Sequence, residues 1–151
     1  MPPVSSARSR APTLITVTMP SLSPHGSECH GRGRRFDRAN PAAADLPNQA
    51  INHAASAVEA AAAIAVAATG TIPQLGFIHE DSGQSFVLDI ADLFRDIVTL
   101  PVAFQAAQSA AKQTDQPIER LTRRLAGSTL QREAVIPAMI ARIKELFDAD
   151  Q

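Results

Sequence analysis

The chain has 151 residues, 45% of them apolar, with no Trp or Tyr, six Phe and a formal net charge of −1. Near-neutral charge excludes a globally basic nucleic-acid binder and confines any such contact to local basic patches. A single cysteine, Cys29, excludes an intrachain disulfide and points to a reducing, cytoplasmic setting.

Residues 1–30 are rich in Pro, Ser and Arg and follow neither a helical nor a strand period, which predicts a disordered leader. His25, Cys29 and His30 match no standard zinc spacing. The apolar stretch Leu14–Met19 is too short for a signal sequence, and no run reaches the length of a confident membrane span, so no membrane association is expected. That leaves about 110 to 120 residues for one packed domain, and heavy alanine usage favours an all-α core. Residues 31–45 form a basic loop carrying Arg32, Arg34, Arg35 and Arg38 among turn formers. Solvated arginines are the commoner explanation of such a run, phosphate contacts the rarer one.

The first helix is expected from Asp45 to Thr69, with Asp45 as cap, Pro47 in the first turn and Gly70 as stop. Its alanines predict burial on nearly all sides. His53 reads as a core or boundary histidine. A second helix should begin with Ser85 as N-cap and run to about Val98, where Pro101 breaks it. A third follows from Pro101 to about Ala111. A fourth spans Pro117–Ala126 with a stop at Gly127, and a last one runs from Ser128 to about Phe147 with a kink at Pro137. The fold class is therefore all-α, about five helices.

On a wheel of 100° per residue, Phe86, Val87, Ile90, Ala91, Leu93, Phe94 and Ile97 fill one arc, and Asp89, Asp92 and Asp96 fall together outside it. Like charges on neighbouring turns repel and call for a cation, either Arg95 with other basic groups or a metal ion. Two carboxylates with the upstream His79 suit Mg2+ or Mn2+, which polarise phosphates and activate hydroxyls. On spacing alone, a solvated acidic face is the commoner arrangement.

The stretch P-x-x-G-F-I-H…S-F-V-L-D-I-A-D-L-F…P-x-A-F, residues 73–104, resembles the catalytic core of the CRISPR-associated adaptation integrase, in its type I-E form. The similarity extends upstream through GRRFD and DLPNQAINHAAS and covers about three quarters of the chain, so that residues 31–151 are expected to form the helical catalytic domain. The resemblance implies a metal-dependent DNA endonuclease in which a 3′-hydroxyl of incoming DNA attacks a phosphodiester at the repeat boundary. It implies Mg2+ or Mn2+ as cofactor, His79 and Asp92 at the metal, and Asp89 as a further acid of the same site. It gives Asp96 no counterpart. Beside such a site, Arg34, Arg35, Arg120, Arg123 and Arg124 become DNA contacts, with prespacer and CRISPR repeat as substrates and the smaller CRISPR adaptation protein as partner.

The family also carries an N-terminal β-rich dimerisation domain and a glutamate-bearing helix that completes the metal site, and residues 1–30 match neither. The expectation is a partial chain behind an unrelated leader, without the family homodimer and with little or no integration activity alone. The rival readings are a non-catalytic helical DNA-binding remnant and a metal-dependent hydrolase of small phosphate esters.

Overall fold

The computed structural model describes residues 45–80, 82–112 and 116–148. The expected leader and basic loop, with Arg34 and Arg35, lie outside them. The described residues form five α-helices and one π-helical turn, with no strand among them: α1 (Leu46–Thr69), α2 (Ser85–Leu93), the π turn (Arg95–Thr99), α3 (Leu100–Lys112), α4 (Ile118–Arg132) and α5 (Val135–Asp148).

Helix α1 is the hub, packing against α2, α3, α4 and α5. Its buried residues are Ala50, Ala54, Val58, Ala61, Ala62, Ala65 and Val66, small enough to let neighbouring backbones approach closely. The burial is confined to the face they form and does not extend to nearly all sides as expected, since Ile64 is 56% exposed; by length and composition alone the helix would also suit a membrane span. Both ends are where the sequence places them. The Asp45 carboxylate accepts from Asn48 N–H at 3.1 Å, and Gly70 closes the helix at φ 68°.

Three expected breaks fall elsewhere. Pro101 stands in the first turn of α3, within a residue of the expected start, but α2 ends earlier than expected, at Leu93, and between them the chain winds through a π turn, in which the Phe94 carbonyl accepts from both Val98 N–H (2.9 Å) and Thr99 N–H (3.4 Å). A proline lacks the N–H for the carbonyl four residues back and crowds it, and a wider turn just before it relieves that clash. The extra residue rotates α3 by roughly 100° relative to an uninterrupted helix, which turns Val102, Ala103, Ala106 and Ala110 into the core against α1 and α4. Leu93 and Ile97, placed on the apolar arc by the wheel, are 51% and 46% exposed.

Gly127 does not stop α4, because Ala126 is buried and Leu125 and Leu130 pack on the core on either side of it. Packing there outweighs the low helix propensity of one glycine. The break comes at Ala134, which adopts φ 48°, a left-handed conformation that costs an L-residue about 1–2 kcal/mol. Helix α5 starts at Val135, so Pro137 lies in its first turn. Its missing N–H is one that has no intrahelical partner there, and no kink is required.

In urea unfolding, Ala134→Gly should therefore raise stability by about 0.5–1 kcal/mol, whereas Gly70→Ala should lower it by about 1 kcal/mol. A loss of stability in Ala134→Gly would show that the left-handed turn carries no strain.

Candidate functional site

Between α1 and α2 the chain doubles back over the first turns of α2. Phe86 N–H donates to the Pro73 carbonyl at 2.9 Å, and Ser85 N–H to the Ser82 carbonyl at 3.2 Å. Ser85 does not cap α2 as expected. Gln84 holds the N-cap position without a side-chain bond, and the Ser85 hydroxyl donates to the Ser82 carbonyl at 2.6 Å instead. Gly76 lies at the tightest point of the loop. A Cβ there would overlap the His79 carbonyl oxygen and the Ser85 Cβ, so only glycine lets the loop close onto the helix.

The loop closes onto Asp89. Its Oδ2 accepts from Phe77 N–H at 2.6 Å and Ile78 N–H at 3.1 Å, and its Oδ1 from His79 N–H at 3.1 Å. The His79 ring nitrogen Nδ1 lies 2.7 Å from Oδ1. Burial opposes ionisation of this carboxyl, but the hydrogen bonds from Phe77, the His79 ring, Ile78 and the His79 backbone outweigh it and pull the pKa from 3.8 down to about 2. An ionised carboxylate only accepts, so Nδ1 must carry a hydrogen and donate. Four donors use the lone-pair positions of both oxygens.

That arrangement aims the other imidazole nitrogen outward. His79 Nε2 lies 3.9 Å from Asp92 Oδ2, and Asp92 Oδ1 lies 3.5 Å from Arg95 Nη1. The Asp92 and His79 side chains are 48% and 37% exposed, while that of Asp89 is 7% exposed. Two donors on one ion, each about 2.1–2.2 Å from it, sit about 3.0 Å apart when adjacent and about 4.3 Å when opposite. The His79–Asp92 separation of 3.9 Å matches neither, and the two would have to close by about 0.9 Å to serve as adjacent ligands. A neutral Nε2 and a carboxylate oxygen facing each other both present lone pairs, which a cation or a bridging water between them would complement. Among the described residues no third His, Cys, Asp or Glu joins them to complete a protein cage. With that closure the pair would supply part of the shell of a hard divalent ion, the remainder falling to water or a ligand oxygen, as is usual for Mg2+.

The family CRISPR associated protein Cas1 matches residues 20–135. The chain belongs to the Cas1 family. It is 32% identical over 118 residues to the CRISPR-associated endonuclease Cas1 1 of Rhodospirillum rubrum, covering 77% of this chain and 38% of that protein. Against the Escherichia coli CRISPR-associated endonuclease Cas1 it is 31% identical over 105 residues, covering 70% of this chain and 34% of that protein. The crystal structure of a TtCas1–DNA complex superposes with a TM-score of 0.71 at 34% identity, over 81% of this chain and 44% of that one. The chain thus spans little more than a third of the length of these two curated Cas1 relatives.

Of the residues singled out in the sequence, the structure brings together His79, Asp89 and Asp92, with Arg95 beside them. Asp89 does not share a solvated stripe with Asp92 and Asp96: it is buried under the loop, while the other two are exposed. Arg120, Arg123 and Arg124 are exposed on α4, where Arg123 pairs with Glu119 at 3.1 Å. Sequence reasoning missed Gly76 and the amides of Phe77 and Ile78. Backbone donors leave no trace in residue type, but a glycine three residues before the histidine was the available cue.

Asp89→Asn exchanges an acceptor-only group for one that must turn an NH2 toward amide donors. It should cost about 2–3 kcal/mol in urea unfolding at neutral pH. Because the folded-state pKa is depressed, the Asp89 contribution is present above pH about 4 and is lost as pH falls toward about 2. Stability of the parent chain should decline across that window and that of Asp89→Asn more shallowly; parallel acid profiles would contradict the hydrogen-bond assignment.

Proposed function

We propose that this chain carries the phosphodiester chemistry of CRISPR adaptation, acting on prespacer and repeat DNA in the cytoplasm, as a Cas1 of type I-E character working with the smaller adaptation protein. The observation that carries this reading is the His79 Nε2–Asp92 Oδ2 approach of 3.9 Å, with the imidazole tautomer fixed from behind by Asp89. His79 and Asp92 would hold Mg2+ or Mn2+. When bound, such an ion supplies positive charge to the phosphate oxygens and lowers the pKa of the attacking hydroxyl.

This chain's own residues position the groups. Asp89 orients rather than ligates, since a fifth partner would have to displace one of its four donors. Arg95, half-buried beside Asp92, holds that carboxylate in place and keeps further N–H donors for a phosphate oxygen. Arg120, Arg123 and Arg124, with Arg34 and Arg35 outside the described residues, would neutralise backbone phosphates without reading sequence. The superposition on a TtCas1–DNA complex supports a DNA-binding role for this fold. A second reading, a DNA-binding remnant without turnover, is favoured by the absence of a third ligand among the described residues.

Three measurements test these assignments. Electron paramagnetic resonance titration with Mn2+ should detect one weak site, abolished in His79→Ala and Asp92→Ala and weakened about 10- to 100-fold in Asp89→Asn. Retention of full affinity in Asp92→Ala would remove the metal reading. Cleavage of branched DNA in Mn2+ should be slow with the chain alone and absent in Asp92→Ala; DNA binding with no cleavage, and no Mn2+ uptake, would favour the remnant. Replacing Arg120, Arg123 and Arg124 by Ala should flatten the slope of log affinity against log salt by about 2 to 3, because each neutralised phosphate adds about 0.9 to that slope. An unchanged slope would place the DNA elsewhere.

A further inference from the structure

The loop that presents His79 is mostly exposed, and one ring outside it reaches back to hold it. Phe77, 62% exposed, meets the fully buried Phe86 edge-on at 5.9 Å between ring centroids. Phe86 meets Phe147, in the last turn of α5, edge-on at 6.0 Å. The three rings form one train from the C-terminal end of α5 to the residue whose amide makes the shortest bond to Asp89, 2.6 Å. We infer that Phe147 is a positioning residue for the His79 loop, acting through Phe86 and Phe77.

Each ring depends on its neighbour for its position. Phe86 is anchored on both sides of its backbone, in α2 and through its N–H to Pro73. With Phe147 against one part of its surface, its ring cannot change rotamer to follow Phe77 outward, because close packing leaves no room. Phe77 thereby keeps a fixed edge-to-face seat, the preferred geometry for such pairs. Without that seat, only the bonds to Asp89 would hold the amide of Phe77 and the two after it, and they would open more often. The Cas1 family match ends at residue 135, so the clamp is contributed by a part of this chain beyond that match.

The consequence for metal binding rests on the reading of His79 and Asp92 as ligands, whereas the consequence for loop order does not. The test is amide hydrogen exchange on the full chain. Phe147→Ala should speed exchange at Phe77, Ile78 and His79 by roughly three- to tenfold, leave Val58 and Ala62 in α1 at parent rates, and weaken Mn2+ binding by a similar factor. Phe147→Tyr should restore both. Leu146→Ala, at a neighbour of the same 45% exposure, should leave the loop unchanged. The clamp is refuted by unaltered loop exchange in Phe147→Ala, by equal acceleration throughout α1, or by the same acceleration in Leu146→Ala. Failure of the parent chain to take up Mn2+ would remove the metal reading alone; the exchange ratios decide the clamp either way.

Discussion

A carboxylate buried against a loop is unfavourable until every lone pair on it finds a donor, and the neighbourhood of Asp89 is shaped by that requirement. Three consecutive amides and one imidazole nitrogen converge on it. The convergence ties an otherwise exposed loop to a helix whose Phe86, Val87, Ile90 and Ala91 are seated in the core. Gly76 follows from the same requirement, since a side chain there would push the loop off the helix and leave the carboxylate unpaired. So does the orientation of His79. An imidazole held through Nδ1 by an ionised acid presents Nε2 and nothing else to its surroundings.

The helices were legible in the sequence wherever a local rule decided them. Asp45 and Gly70 bound α1 by backbone chemistry that does not depend on the rest of the fold. Two of the breaks misjudged were those in which tertiary packing opposed a local rule. Gly127 lies in α4 because its neighbours are buried, and Pro101 is accommodated by a π turn because Val98 and Val102 both belong in the core. A helical wheel places residues around one axis of constant pitch, so it has no means of registering a turn with an extra residue.

The same limit explains Asp89. On the wheel it lies beside Asp92 and Asp96 on a polar face, where like charges call for a common cation. A wheel shows only the helix itself, while the loop that covers one part of that face belongs to residues 76–79. The spacing of His79 ten residues ahead of Asp89 did carry the right contact, yet not its type: the shared partner of Asp89 is the imidazole and the backbone around it. Asp92, one turn on, is left for what lies outside.

Helix α1 makes this division of labour possible. Its alanines bring α2 close enough that Ile90 and Ala91 are buried while Asp92, next in sequence, is at the surface. The boundary between core and solvent thus runs between adjacent residues of a rigid helix, which places one carboxylate in a dry environment and the next in a wet one. On the proposed reading, this separation gives the two acids different tasks. The dry one is saturated by the protein and fixes geometry. The wet one, with Arg95 on one oxygen, retains free lone pairs, and with His79 as the one further candidate ligand among the described residues an ion would keep most of its shell as water or phosphate oxygen. Metal affinity would then depend on whether DNA is present, because a phosphate that completes the shell stabilises the ion in proportion to its own binding. On that same reading, His79 and Asp92, the two candidate ligands among the described residues, would belong to a site assembled on its substrate, in which the protein contributes orientation and the nucleic acid much of the coordination.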